Sequence, residues 1–234
     1  DSQPVLIDPG MPYYFGDRDW VRHFRSPAAH NTIQIDGLPL AHDAGRLEWS
    51  HVQPRPYLTA DGTHNVWTAL GKVCYREDVI VERYLACVPG IGLWITDRIR
   101  SSDSRSIRWN WQLPGDTAVN FVRSSKTSCQ FRAGAMNLMA VSDHPTLRCR
   151  AQQADSQSPE AWTADGYGSC HPGQVLEIRQ DSVTDGLVMT GFSCRESVAE
   201  FTMGDRGVRF PCSTNDGLAI PTGDPTVIRF DEEV

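Results

Sequence analysis

Alternation of apolar and polar side chains is the dominant pattern along this chain. Ile107-Arg108-Trp109-Asn110-Trp111-Gln112-Leu113 puts Ile107, Trp109, Trp111 and Leu113 on one side, and Arg108, Asn110 and Gln112 on the other. A period of two describes a strand with one buried face, which makes Trp109 and Trp111 core residues. Val79–Leu85 is rich in β-branched and aromatic residues; Pro89-Gly90-Ile91-Gly92 interrupts it and Leu93–Thr96 resumes. Two such runs split by a Gly/Pro turn read as a hairpin. Asn137–Val141, Val175–Ile178, Leu187–Thr190 and Thr226–Phe230 continue the pattern. No window has the spacing of a long amphipathic helix, so helix is expected only as a few turns. Residues 151–173, with their Ser, Gln, Asp, Gly and Pro, read as a long loop. Many short strands between turns predict an all-β fold, a large antiparallel two-sheet β-sandwich. No internal repeat suggests a propeller or solenoid. Residues 1–234 read as one domain, without an internal boundary.

The N-terminal part departs from this regularity. Two apolar runs, Val5–Ile7 and Thr32–Ile35, bracket a segment crowded with aromatic, basic and imidazole groups. Loops held by rigid strands are where binding and catalysis concentrate. Val5–Ile7 reads as a buried strand with almost nothing before it. Antiparallel strands usually pair with a sequence neighbour, so the domain is expected to be truncated at its N-terminus. Within the segment, Asp8 precedes Pro9-Gly10, a turn that an aspartate caps, and His30 has the local role of a hydrogen-bonding partner. Carboxylate and imidazole are also zinc ligands, but two alone fall short of the usual four-coordinate site. Tyr13 and Tyr14 offer faces for sugar rings, and the forks of Arg22 and Arg25 match carboxylates bidentately. Trp20 and Phe24 read as packing, and Asn31 as a residue that orients the loop.

Composition narrows the partners. The net charge of −7 over 234 residues argues against nucleic acid. Residues 18–30 are nonetheless basic, through Arg18, Arg22, His23, Arg25 and His30. Such an asymmetry can focus a field in a cleft. No apolar run approaches the ~20 residues of a membrane-spanning helix. The seven cysteines are scattered and contain no Cys-x-x-Cys, which excludes the usual thiolate zinc pattern. Their odd number leans towards a reducing, cytoplasmic compartment, with Cys74 and Cys87 as small buried apolar groups. There is no phosphate-binding glycine loop, no Gly-x-Ser-x-Gly and no His-Glu-x-x-His.

Several segments recur in a fixed order between residues 5 and 195: Asp8-Pro9-Gly10, then Phe24-Arg25-Ser26-Pro27-Ala28-Ala29-His30-Asn31-Thr32, then Asp36-Gly37. Arg83-Tyr84-Leu85, Leu93–Arg98, Trp111–Gly115 and Gly166-Tyr167-Gly168 follow. The ordered set resembles the C-terminal β-sandwich of the heparinase II/III-like polysaccharide lyases, which include several alginate lyases. One residue more than in the family pattern stands before His30. The resemblance implies β-elimination at a uronic acid: a base removes the proton next to the carboxylate and the 4-linked sugar leaves. Donors or cations must hold the charge developing on that carboxylate, and a Tyr or His moves the protons. In the family these groups lie mainly on a preceding α/α-toroid domain, so the isolated chain is expected to be inactive. The resemblance further implies a zinc ion held by Asp8, His30 and a histidine upstream of this chain. It implies an acidic polysaccharide as partner, the toroid domain as neighbour, and a periplasmic or secreted location. The rival reading is a non-catalytic carbohydrate-binding or structural sandwich, for example in polysaccharide biosynthesis or export.

Overall fold

In the computed structural model, residues 4–36, 38–45, 48–50, 57–62, 67–76, 78–194, 202–204, 207–210 and 218–221 are described. A helix α1 (Arg18–Phe24) and a short 3-10 turn (Pro27–Ala29) precede β1 (Ile33–Ile35), β2 (His42–Asp43) and β3 (Trp49–Ser50). Then come β4 (Tyr57–Gly62), β5 (Trp67–Arg76), β6 (Val79–Val88) and the long β7 (Gly92–Leu113). The chain continues through β8 (Val119–Ser124), β9 (Ser128–Ala133), β10 (Met136–Ser142) and β11 (Arg148–Gln153). A hairpin of β12 (Trp162–Gly166) and β13 (Ser169–Pro172) leads into the long β14 (Gln174–Ser193). A small meander, β15 (Thr202–Gly204), β16 (Gly207–Phe210) and β17 (Leu218–Pro221), closes the described part.

Two bent strands, β7 and β14, build both layers. They pair with each other along nearly their whole length, with register shifts between Gln180 and Asp185. Ser182, at φ 62, lies at that bend. Before the bend, Gly92–Ser101 of β7 pairs with β6; after it, Ile107–Trp109 pairs with β1. Likewise Gln174–Arg179 of β14 holds β11, and Val188–Ser193 holds β10. The first layer therefore runs β4-β5-β6-β7-β14-β10-β9-β8, and the second β1-β7-β14-β11. Every pairing is antiparallel, as the apolar alternation predicts.

The main core lies between the layers. Val79, Val81, Ile95, Ile99, Leu138 and Phe192 from the first meet Ile33, Ile35, Trp109, Trp111, Leu176 and Ile178 from the second. Trp109 and Trp111 are fully buried and Trp111 meets Phe192 edge-on. The one-face expectation for residues 107–113 is only half right. Asn110 and Gln112 are also buried, at 4% and 2% exposure. The N-terminal segment runs along this end of β7, through Asn110 N donating to Thr32 O and Ile7 N donating to Gln112 O.

Three other expectations change. Val5–Ile7 is not a strand: it is half-buried, and Ile7 makes a single backbone bond to β7 while the Asn31 side chain takes its carbonyl. Residues 151–173 are not a long loop, because they include part of β11 and the β12–β13 hairpin. Neither face of that hairpin is deeply buried, so no apolar alternation marks it in the sequence. Cys129 of β9 and Cys149 of β11 form a disulfide across the two layers, with Cα atoms 6.4 Å apart. Cys74 and Cys87 are half-buried rather than buried. The run Thr226–Phe230 lies outside the described residues.

Candidate functional site

Local capping shapes the segment between Ile7 and β1. Asp17 caps α1, accepting from Asp19 N at 2.8 Å and Trp20 N at 3.2 Å. Asp19 in the first turn and Arg22 and His23 in the last suit the helix dipole. Phe24 anchors the helix in the core. Ser26 then caps the Pro27–Ala29 turn, and the chain leaves it extended at His30. Asn31 joins three segments: its Oδ1 accepts from Gln112 N at 2.7 Å, and its Nδ2 donates to Ile7 O at 2.9 Å. In this way one amide side chain lays Ile7 and β1 end to end along the edge of β7.

That arrangement brings Asp8 and His30 together across 22 positions. His30 Nδ1 is 3.0 Å from Asp8 Oδ2, and His30 Nε2 is 3.0 Å from Phe24 O. Phe24 O and Asp8 Oδ2 both only accept, so each ring nitrogen faces an acceptor and the tautomer sets which one donates. A hydrogen on Nδ1 makes the Asp8 contact a charge-assisted hydrogen bond. Asp8 Oδ1 accepts from Gly10 N at 2.9 Å, closing the anticipated turn. Burial pushes the Asp8 carboxyl up, but the Gly10 N–H and the His30 ring outweigh it and leave it below its usual value. A carboxylate lowered in this way stabilises the fold above its unfolded pKa, and that contribution disappears as pH falls through the folded value. Among the described residues no group of three His, Cys, Asp or Glu stands ready to hold a metal.

Gly10 fixes the turn. Its φ is +69°, and a Cβ there would lie 2.5 Å from Ala164 O on β12. The same stretch is tied to the hairpin by Ala164 N donating to Pro9 O at 2.7 Å and Gly168 N donating to Pro12 O at 2.8 Å. Gly10→Ala therefore meets both a left-handed backbone and a backbone oxygen. It should cost about 1–3 kcal/mol. Urea melts of the two proteins measure this, and superimposable curves would mean that the hairpin gives way freely.

The cationic candidates separate by their partners. Arg25 is 10% exposed at its side chain and is fully engaged. It donates to Gly45 O at 2.7 Å and Glu48 O at 3.1 Å, pairs with Asp43 at 3.3 Å, and lies 4.2 Å above Trp49. It clips the β2–β3 hairpin onto α1. Arg22 is 57% exposed, and its acidic neighbours Asp43 and Asp19 stand at 3.7 and 3.9 Å. Arg18, Arg22 and Arg25 share with Tyr14 and Phe15 the wall of a cavity of about 450 Å³. A second, more apolar cavity of about 440 Å³ shares Arg22 and Arg25 with the first and has His30, Leu40 and Trp49 in its wall. Tyr13 and Tyr14 both meet Tyr167, edge-on at 6.5 Å and stacked at 5.9 Å. Trp20 packs on Phe24 and on Trp162 of β12. Burial pushes the His23 imidazole down, against Glu160 and with His30.

An interior ion pair supports the site and was assigned no role from the sequence. Asp97 is 1% exposed and accepts from Arg83 Nε at 2.6 Å, Arg83 Nη2 at 2.9 Å and Trp109 Nε1 at 2.9 Å. Arg83 Nη1 continues to Asn31 O at 2.8 Å. Its signal was a charge at an inward position of each apolar strand, Arg83 after Val81 and Asp97 after Ile95.

Comparisons with known proteins bear on the family and the fold. The family described as Heparinase II/III-like, C-terminal matches residues 1–206. A mutant of the heparan sulfate lyase HepC from Pedobacter heparinus superposes with a TM-score of 0.64 at 13% identity, over 93% of this chain and 34% of that one. A heparinase III structure gives 0.60 at 14% identity, over 88% and 32%. At such identities the likeness is one of fold, and the chain spans about a third of the length of these structures. No curated protein matches. The chain belongs to the heparinase II/III-like family, as its C-terminal domain.

Proposed function

We propose that this domain forms one wall of the substrate cleft in a polysaccharide lyase that cleaves a uronate-containing polymer by β-elimination. In this reading Asp8 and His30 hold a zinc ion with a histidine from outside the chain. The observation behind it is the Asp8–His30 contact, with Nδ1 of the ring 3.0 Å from Oδ2 of the carboxylate. Two ligand atoms on a tetrahedral zinc at ~2.1 Å stand about 3.4 Å apart, so the pair needs to open by only a few tenths of an ångström. Nε2 lies 3.0 Å from Phe24 O, and donation there would leave Nδ1 for a metal, the usual arrangement behind a ligating histidine. A zinc ion there would supply positive charge and tie the Asp8 turn to the α1–β1 segment.

The chain's own groups do the rest. Tyr14 and Arg22 line the first cavity, where an arginine fork attracts a uronate carboxylate. Arg25 positions the β2–β3 wall, and Tyr13 supports the Tyr14 side of the rim. The domain carries these contacts, and the proton-transfer groups come from the preceding toroid domain.

The test uses the intact protein, wild type against His30→Ala. Bound zinc is measured by mass spectrometry, and turnover by absorbance of the new unsaturated uronate. His30→Ala should lose zinc and most turnover while the sheets stay folded. Equal zinc in both proteins removes the metal site. An intact wild type that yields no unsaturated product from any uronan removes the lyase reading and favours a binding or structural sandwich.

A further inference from the structure

Tyr167 occupies the tip of the β12–β13 hairpin, more than 150 positions from the tyrosines it meets. It is 67% exposed, beside Tyr14 at 47% and Phe15 at 52%. The hairpin does not need this ring to stay in place. Two backbone bonds hold it to Pro9 and Pro12, and Trp162 packs on Trp20. The Tyr167 ring nonetheless lies over Tyr14, 17° from parallel, with Tyr13 at its edge. A group of open aromatic rings on a soluble domain marks a ligand surface. Its neighbour is the cavity of about 450 Å³ whose wall holds Tyr14, Arg18 and Arg22. The acidic partners of Arg22 stand at 3.7 and 3.9 Å, beyond hydrogen-bond distance, so its guanidinium can turn to an incoming carboxylate.

We infer that Tyr167 is a saccharide-binding residue, forming with Tyr14 a stacking platform for a pyranose ring whose carboxylate lies towards Arg18 and Arg22. The chemistry requires both parts. The C–H face of a pyranose packs on an aromatic plane, and the acid group of a uronate meets a fork of donors. The inference rests on the proposed uronate-polymer substrate and adds a residue from a distant part of the chain to that site. Among the described residues, the rings that Tyr167 meets are Tyr13 and Tyr14, and it acts through binding, not through the elimination step.

The test is calorimetric binding by the intact protein, with oligomannuronate and an unsulfated glucuronate–hexosamine oligosaccharide as probes, alongside steady-state turnover. Tyr167→Ala should weaken binding about tenfold, equivalent to about 1.4 kcal/mol. KM should rise in step with kcat unchanged, the mark of contacts made equally in ground and transition states. Tyr167→Phe and Tyr167→Trp, which keep the ring, should bind as wild type does. All three variants should melt with the wild type. Unchanged affinity in Tyr167→Ala with turnover intact overturns the platform and leaves the lyase reading standing. A lowered melting point that Tyr167→Phe does not restore also overturns it, since the residue is then structural. Binding that is lost in Tyr167→Ala, with no product formed by any variant, keeps the platform and removes the lyase reading. No binding of either probe by the wild type overturns both.

Discussion

Asp97→Ala should destabilise the domain by about 3–5 kcal/mol, the cost of breaking a buried ion pair from one side. The carboxylate sits between the layers at 1% exposure and satisfies three donors, two from Arg83 and the indole N–H of Trp109. Removing it leaves a guanidinium 21% exposed over the Trp111 ring, with Asn31 O as its one remaining acceptor among the described residues. It also leaves the buried indole N–H without its acceptor, which adds to the loss. Against a total stability of about 5–15 kcal/mol, this is a large fraction. The double variant Arg83→Met/Asp97→Leu removes both charges and should recover much of the loss, because desolvating a charge pair costs about as much as the pair returns. Urea unfolding of the three proteins gives the comparison. A single-variant loss below about 1 kcal/mol, the level of an exposed pair, would mean that water reaches Arg83 in the folded protein. The effect should extend to the rim, since Arg83 holds the backbone of Asn31, and Asn31 sets both Ile7 and β1 against β7.

The strands were legible because one-sided burial writes itself as alternation. Ile107, Trp109, Trp111 and Leu113 point inward as read, and the hairpin around Pro89–Gly92 forms between β6 and β7. The same rule fails where neither face is buried, as in β12 and β13, or where both are, as at Asn110 and Gln112. The approach of Asp8 and His30 followed from a family pattern and from two apolar runs; nothing in a 22-residue separation announces it. The distribution of work among the arginines was not legible at all. Arg22 and Arg25 are three residues apart on similar local sequence, yet one reaches solvent and the other is locked by backbone carbonyls of β2–β3. Which one folds inward depends on a hairpin that starts 17 positions later. Tyr167 is visible in the sequence only within Gly166-Tyr167-Gly168; its meeting with Tyr13 and Tyr14 was hidden for the same reason, since bonds to Pro9 and Pro12 bring it there from a segment that reads as loop.

Removing the Cys129–Cys149 disulfide should lower the stability of the domain by about 3 kcal/mol, the loop-closure value for cysteines 20 positions apart. Seven cysteines allow many pairings, and their odd number suggested none. The fold selects this one because β9 lies near the far edge of the first layer and β11 at the edge of the second. Through β10 and the turn after it, the chain crosses from one layer to the other, so the bond ties the two sheets at a place where no strand is shared. Cys129 is 2% exposed, inside the main core, which shelters the bond from reductant. Such a bond persists in an oxidising environment and is reduced in a thiol-rich one. The Cys129→Ala/Cys149→Ala protein should melt about 6–12 °C below the wild type, at roughly 2–4 °C per kcal/mol for a chain of this size. Dithiothreitol should lower the melting point of the wild type towards that of the double variant and leave the double variant unmoved. Thiol titration of the unfolded, non-reduced wild type should find two fewer thiols than after reduction. Equal thiol counts, or a wild type whose melting ignores reductant, would show that the two cysteines only pack against each other between the layers.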